Sequence, residues 1–196
     1  MGRSLCARRR ALCLLLAAGL ACGGRAPAPV PAPARAPAPA PRIARIADAN
    51  TVAILLTSHN ADLAAARIAV TRAQQRDVKL LARNIVTDHT SMSARLSRLA
   101  AGINLTPRDD DVSRLLRDQS AARRDTLRNY SGWQFDSAYV ENEVRFHEDL
   151  LVAIDRVFLP SARNAALKEY VTSIRPTIAS HLSLAEQVRT TVAESR

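Results

Sequence analysis

The stretch that decides the fold is residues 77–102, which read DVKLLARNIVTDHTSMSARLSRLAAG. Its apolar side chains recur in alternating steps of four and three, a spacing that places them on one face of an α-helix. That face consists of Val78, Ala82, Ile85, His89, Met92, Leu96 and Leu99. Gly102 is the expected end, because glycine takes the left-handed conformation of a helix terminus without steric cost. The stretch therefore predicts a long amphipathic helix with a histidine in the middle of its buried face.

The same spacing continues on both sides of this stretch. It predicts helices over about 48–74, interrupted near 58–60, and over about 106–128, with Thr106 as N-cap and Pro107 at the first helical position. Two more follow over about 135–160 and 162–192, the last kinked or split at Pro176. Sustained steps of four and three are typical of helices that pack at small crossing angles. We therefore predict an all-α, up-and-down four-helix bundle over residues 47–193, with the 106–128 helix as an extra helix in the second crossover.

The first 21 residues are typical of a secretory signal peptide. Arginines at 3 and 8–10 precede an apolar run over 11–21. As a helix this run spans about 16 Å, too short for a hydrocarbon core of about 30 Å. The segment Gly19-Leu20-Ala21-Cys22 resembles a bacterial lipobox, which predicts that the chain is a lipoprotein with Cys22 as the lipidated residue. Cleavage by ordinary signal peptidase is the alternative.

Residues 22–46 form the predicted tether. Seven of the ten prolines of the chain alternate there with alanine, a composition that favours polyproline II and not helix or sheet. We expect the protein in the bacterial cell envelope, in the periplasm as an outer-membrane lipoprotein; a soluble periplasmic or secreted protein is the alternative. The expected partners are the membrane, reached through the lipid anchor, and another envelope protein.

The distribution of charge argues against a nucleic-acid partner. The formal net charge is +10, but eight of the 28 basic residues precede Asp48 and no acid does, which leaves 20 basic against 18 acidic residues and a net charge of +2 for the rest. Binding to phosphates needs a basic excess, and stacking on bases needs aromatic side chains, which make up 4% of the chain. We expect no nucleic-acid binding.

A series of short motifs resembles the bacterial domain-of-unknown-function family 4142. In chain order the motifs are Asp62, Asp88-His89, Gly132, Phe135-Asp136, Tyr139, His147-Glu148, Pro176, His181-Leu182 and Ala185. The resemblance covers about 47–192 and implies a ferritin-like bundle in exported, envelope-associated proteins with no established activity. One departure is that members of the family tend to carry Glu-x-Glu in the first helix, whereas Asp62 is followed here by leucine and alanine.

Three of the four histidines, His89, His147 and His181, fall near the middle of the buried faces of three helices. Mid-helix positions in such a bundle lie at similar heights, so we expect the three imidazoles to converge, with Asp62 beside them. This set suits a divalent transition metal such as Zn, Cu or Fe, with Asp88, Glu143, Glu148, Tyr139 and His59 as supporting residues. A di-iron centre fits poorly because the chain has no Glu-x-x-His.

A buried hydrogen-bonded network without metal is an equally complete explanation of these histidines. The chain has no cysteine after Cys22, no Gly-x-Ser-x-Gly and no phosphate-binding glycine loop. We therefore assign no catalytic residue and expect a binding or structural role, with metal binding at the histidines as the alternative function.

Overall fold

The computed structural model describes residues 45–196, which form five long helices and no strand. The signal peptide, Cys22 and nearly all of the tether lie outside the described residues. The helices are α1 (Asp48–Arg72), α2 (Arg76–Gly102), α3 (Asp111–Arg128), α4 (Gly132–Ala153) and α5 (Ala165–Glu194). After α4 the chain continues through a π-helical turn, Ile154–Phe158, and a short helical turn, Leu159–Ser161. No helix in the described part of the chain is long and apolar enough to cross a bilayer.

Hydrogen bonds between helix ends give the direction of each helix. At the end of the bundle where α1 stops, here called the upper end, Gln75 donates to Ser195 Oγ (2.6 Å). At the lower end, Asn50 donates to the carbonyl of Arg108 (2.9 Å) and the Ile46 N–H to Ser161 Oγ (3.3 Å). Thus α1, α3 and α5 run upward, whereas α2 and α4 run downward. Because α3 carries the chain back along α1, α2 and α4 are parallel, as in ferritin-like bundles, and the predicted fold class is confirmed.

The interior consists of two apolar clusters separated by a polar layer. The upper cluster is centred on side chains such as Leu81, Ile85, Phe135 and Val188. The lower cluster is built from Leu55, Leu96, Ile154, Leu167 and Ile174. Each of α1, α2, α4 and α5 passes from one cluster to the other, and at the crossing point each carries a buried histidine, namely His59, His89, His147 and His181. The bundle therefore places all four imidazoles at one height.

Carboxylates from distant helices cap two helix starts. The buried carboxylate of Asp136 accepts the backbone N–H groups of Gln74 (3.0 Å) and Gln75 (2.8 Å) just before α2. Asp48 does the same for Arg163 (3.0 Å) and Asn164 (2.9 Å) before α5. These N–H groups have no intrahelical partner, so the caps hold both connections against the bundle.

Two helices are continuous where the sequence predicted an interruption. The first helix is not interrupted near residue 58: the Ser58 hydroxyl donates to the Ile54 carbonyl within the helix (2.9 Å), and His59 is buried. Pro176 does not split the last helix, which is continuous over Ala165–Glu194. A residue that disfavours a helix is tolerated where tertiary packing on both sides holds the helix together.

The predicted ends around the second connection are also corrected. Thr106 and Pro107 do not begin α3; Asp110 is its N-cap, and a reciprocal pair of hydrogen bonds with Ser113 (2.9 Å each) forms a capping box there. The left-handed residue after α2 is Asn104 (φ 53°), not Gly102. Glycine does take this conformation at the first residue of α4, where Gly132 has a φ of 60°.

Candidate metal centre

The polar layer brings together side chains from four helices. His59 and Asp62 come from α1, one turn apart; His89 comes from α2, and His181 from α5. Tyr139, Glu143 and His147 follow each other at intervals of four on α4, so they share one face. None of these seven residues is more than 3% exposed. The sequence spacing that puts them on inward faces thus places them inside one buried layer.

Three histidines converge at the centre of this layer. His89, His147 and His181 each offer one ring nitrogen within 4.8 Å of the other two. The centroids of their rings are 5.2 to 5.7 Å apart. Asp62 Oδ2 lies 3.2 Å from His89 Nε2 and 3.6 Å from His147 Nε2. The structure therefore brings together the four residues singled out as a candidate metal site.

The hydrogen bonds of two of these rings assign their tautomers. His147 Nδ1 lies 2.8 Å from the Glu143 carbonyl, and His181 Nε2 lies 2.9 Å from Asp88 Oδ2. A carbonyl and a carboxylate only accept hydrogen bonds, so both ring nitrogens must carry the proton. The other nitrogen of each ring, Nε2 in His147 and Nδ1 in His181, has no hydrogen-bond partner among the described residues.

A longer chain of hydrogen bonds assigns the third tautomer. Tyr170 donates its hydroxyl proton to the Met92 carbonyl (3.0 Å), so His59 Nε2 must donate to the Tyr170 oxygen (3.1 Å). Burial lowers the pKa of His59 to about 4, so its other nitrogen is unprotonated at neutral pH and accepts from His89 Nδ1 (3.2 Å). His89 is left with a bare Nε2.

The result is a group of buried acceptor atoms that make no hydrogen bond among the described residues. The bare nitrogens of His89, His147 and His181 and the Oδ2 atom of Asp62 are all buried and make no hydrogen bond within residues 45–196. Asp62 Oδ2 is close to two of these nitrogens, but a proton on its carboxyl would satisfy only one of them. Each unsatisfied buried polar atom costs about 1–3 kcal/mol. A cation held between the three rings would satisfy their nitrogens, and Asp62 Oδ2 lies next to two of these rings.

Burial sets the charge of these groups. It lowers the pKa of His147 to about 3 and that of His89 well below its usual value, so both rings are neutral at pH 7, the form that binds metals. It raises the pKa of Asp62 to about 7. Burial and the adjacent Asp62 also raise the pKa of Glu143 well above its usual value. An isolated charge is costly in this layer, and a bound cation would offset the cost for the carboxylates.

Two further side chains border the site. Glu143 Oε2 lies 3.7 Å from His147 Nδ1, and the Tyr139 hydroxyl is buried beside it without a hydrogen-bond partner among the described residues. Asp62, Glu143 and His147 also offer ligand atoms within 4.8 Å of one another. A cavity of about 40 Å³ lies against Asp62 and Glu143, large enough for a few water molecules. It is lined from α3 by Gln119, Ser120 and Arg123.

The supporting residues expected from the sequence have different positions. His59 and Asp88 bond directly to histidines of the site. Glu148 does not belong to the site. It follows His147 by one residue, which rotates its side chain about 100° around the helix, and that side chain is exposed. Tyr170, which orients His59, was missed. It lies three residues after Leu167 and four before Ile174, so the helical spacing contained the signal.

Comparisons with known proteins agree with the fold. A family model described as a domain of unknown function (DUF4142) matches residues 32–188. A solved structure described as CopM in the Cu(II)-bound form is similar to the chain with a TM-score of 0.59 and 12% sequence identity. The similarity covers 76% of this chain and 99% of that one. No curated protein sequence matches the chain.

Proposed function

The chain belongs to the DUF4142 family, and on that premise we propose that it binds one transition-metal ion through His89, His147, His181 and Asp62. The observation that carries the proposal is a set of three ring nitrogens and one carboxylate oxygen that are all buried and make no hydrogen bond among the described residues. Packing alone does not account for this arrangement, because unsatisfied acceptors destabilise a core. A cation converts each of them into a ligand.

The outer contacts of the three histidines support the same proposal. Metal-binding histidines usually donate their second ring N–H to a carboxylate or a carbonyl, which fixes the tautomer and the ring orientation. His181 donates to Asp88, His147 to the Glu143 carbonyl and His89 to His59. His147 and His181 thus make the outer contacts that are usual for metal-binding histidines.

The donor set selects the class of metal. Three imidazole nitrogens and one carboxylate suit Zn, Cu or Fe, whereas Mg and Ca prefer oxygen ligands throughout. The similar solved structure is described as Cu(II)-bound, so Cu(II) belongs among the ions to be tested. The metal would link α1, α2, α4 and α5 at mid-height, and binding, storage or buffering of the ion is the role we propose.

A structural polar network is the second candidate function. The chain of hydrogen bonds from the Met92 carbonyl through Tyr170 and His59 to His89 joins three helices without any metal. Such a network fixes the register of the helices, since each partner is satisfied in only one arrangement. It accounts for His59 and Tyr170, but it leaves the bare nitrogens of His147 and His181 unexplained.

We also propose that the bundle works in the bacterial envelope. The support is in the sequence: a signal-like start, a lipobox-like segment ending in Cys22 and a proline-rich tether. The tether would hold the bundle away from the membrane, where it meets periplasmic metal ions or an envelope protein.

Calorimetric titration of the metal-stripped protein with Zn(II), Cu(II) and Fe(II) tests the proposed site. We expect one ion per chain and a stabilisation of about 2.7 kcal/mol at a free metal concentration of 100 Kd. His181→Leu should abolish both effects. Ile178→Leu, one turn earlier on the same buried face, is the matched control and should abolish neither. If no ion binds the parent protein, the metal proposal is wrong and the structural network remains the candidate function.

A further inference from the structure

We propose that the protein has a second binding site, a groove beside α3 that takes an amphiphilic organic anion with an apolar tail and its negative head against Arg123. The groove has a volume of about 310 Å³, within the range of small-molecule sites. The proposed metal ligands do not line the groove, but Gln119 and Arg123 line both the groove and the small cavity beside Asp62 and Glu143. The walls, the charge and the direction of the helices each contribute to this assignment.

The groove exists because α3 packs along α1 and touches α4 only slightly. This leaves a slot with α1 as its floor and the lower half of α4, with the π-helical turn, as its far wall. Apolar side chains dominate the lining, including Ile54, Leu116, Phe146, Leu150, Val157 and Phe158. A slot of this composition favours an aliphatic or aromatic body over a polar one.

The π-helical turn shapes the far wall. Ala153, Val157 and Phe158 all line the groove. In an α-helix, residues 153 and 157 would share a side, and residue 158 would point about 100° away from residue 157. Over Ile154–Phe158 the hydrogen bonds run to the fifth residue, so the wider turn brings residues 153 and 158 to one side. Turns of this kind occur often at functional sites.

The upper end of the groove carries an unpaired cation. Arg123 is half-buried there, and its guanidinium makes no ion pair or hydrogen bond within residues 45–196. Its neighbours on α3 are engaged: Arg117 pairs with Asp109 (2.7 Å), and Arg124 donates to Ser120 (2.5 Å). Gln119, one turn before Arg123, adds an amide donor at the same end. A carboxylate head would therefore find both charge and hydrogen-bond donors.

The orientation of the bound molecule follows from the helix directions. Since α3 runs upward and α4 downward, Arg123 lies at the upper end, and Val112, Val157 and Phe158 lie at the lower, apolar end. Asp149 is the acidic group of the lining, and it is exposed at the rim between these ends. A negative head is thus directed away from Asp149 and towards Arg123, and the tail extends downward.

Calorimetry with decanoate, decanol and decylammonium tests the site in the full metal-stripped protein. We expect decanoate to bind more tightly than decanol, and decylammonium more weakly than both. Arg123→Gln should weaken decanoate binding about 10- to 100-fold and leave decanol unchanged. Equal affinity for the three molecules, or decanoate binding that is insensitive to Arg123→Gln, would overturn the proposal, as would the absence of binding.

Blocking variants test the location. Ala153→Phe fills the groove and should abolish decanoate binding, whereas Val152→Phe places the same ring next to it on a side chain that is 61% exposed and should not. Leu116→Trp fills the groove from the opposite wall and is the second blocking variant, to be used if Ala153→Phe does not fold. Binding that survives both blocking variants contradicts the assignment. His181→Leu should bind decanoate normally, so the outcome is separate from that of the metal centre.

Discussion

At the scale of single residues, Asp88 and Glu148 show how little sequence adjacency reveals about support for a site. Each is an acid next to a histidine of the site, Asp88 before His89 and Glu148 after His147. Asp88 turns away from His89, but α5 lies on that side of α2, and the carboxylate accepts from His181 there. Glu148 turns away from His147 towards solvent. Whether an acid beside a histidine supports the site therefore depends on whether another helix packs on the side to which the acid points.

This difference gives a matched pair of substitutions. Asp88→Asn replaces the carboxylate that orients His181, so we expect metal affinity to fall by about 10- to 100-fold, the usual effect of removing an outer-shell partner. Glu148→Gln should leave it unchanged. Calorimetric titration of both variants with the metal that binds the parent protein measures the effect. Equal affinities for the two variants would contradict the orienting role of Asp88.

Among the helices, the connection between α1 and α2 depends on a residue of α4. The carboxylate of Asp136 is fully buried and accepts two backbone N–H groups ahead of α2. Loss of the carboxylate leaves both donors unsatisfied, since neither has a helical partner.

We therefore expect Asp136→Ala to lower the free energy of unfolding by about 1–3 kcal/mol. Chemical denaturation of the metal-free protein measures this, so that metal binding does not contribute. Asp125→Ala is the control, because Asp125 is an exposed acid of α3 whose contact is a surface ion pair with Arg128. A destabilisation no larger than that of Asp125→Ala would show that the cap contributes nothing.

The last helix contains a proline that its packing tolerates. Pro176 is exposed in the middle of α5, between the buried residues Ile174 and Ile178. Proline has no backbone N–H to donate to the helix, and its ring clashes with a carbonyl of the preceding turn. Together these effects cost about 3 kcal/mol in a helix interior.

Pro176→Ala should therefore raise the free energy of unfolding by about 1–3 kcal/mol, because alanine restores the donor and favours the helix. Denaturant titration of the metal-free variant, with fluorescence from Trp133 as the signal, gives the value. Unchanged or lower stability would mean that the surrounding helix is shaped around the proline ring. Comparison of metal affinity in the same variant would show whether the shape of α5 matters to His181, five residues later.

At the scale of the whole molecule, the cellular location of the protein depends on residues outside the described range. The short apolar run that ends at Ala21 predicts cleavage before Cys22 and lipidation of this cysteine. Mass spectrometry of the protein from membranes should find a lipid-modified N-terminal cysteine, and Cys22→Ser should move the protein to the soluble fraction. An unmodified N-terminus, or membrane association that persists in the variant, would support cleavage by ordinary signal peptidase instead.

The sequence alone was sufficient for the helices, the fold class and the height of the histidines. Steps of four and three identify buried faces, and His89, His147 and His181 occupy mid-helix positions on three of them. The burial of one face per helix is a local property, readable from spacing. The end signals at Thr106 and Gly102 misled because several competing caps lay nearby, and Asp110 formed the more complete one.

Only the tertiary structure decided which nitrogens are bare and which acids support them. The tautomer of His89 is assigned by a chain of hydrogen bonds that runs through His59 and Tyr170 to the Met92 carbonyl. The bonded residues lie between 30 and 111 positions apart in the sequence. The groove beside α3 likewise depends on how far that helix stands from α4. Spacing along a chain fixes the face on which a side chain lies, but hydrogen-bond partners and gaps arise between helices, where direction, rotation and distance are set by packing.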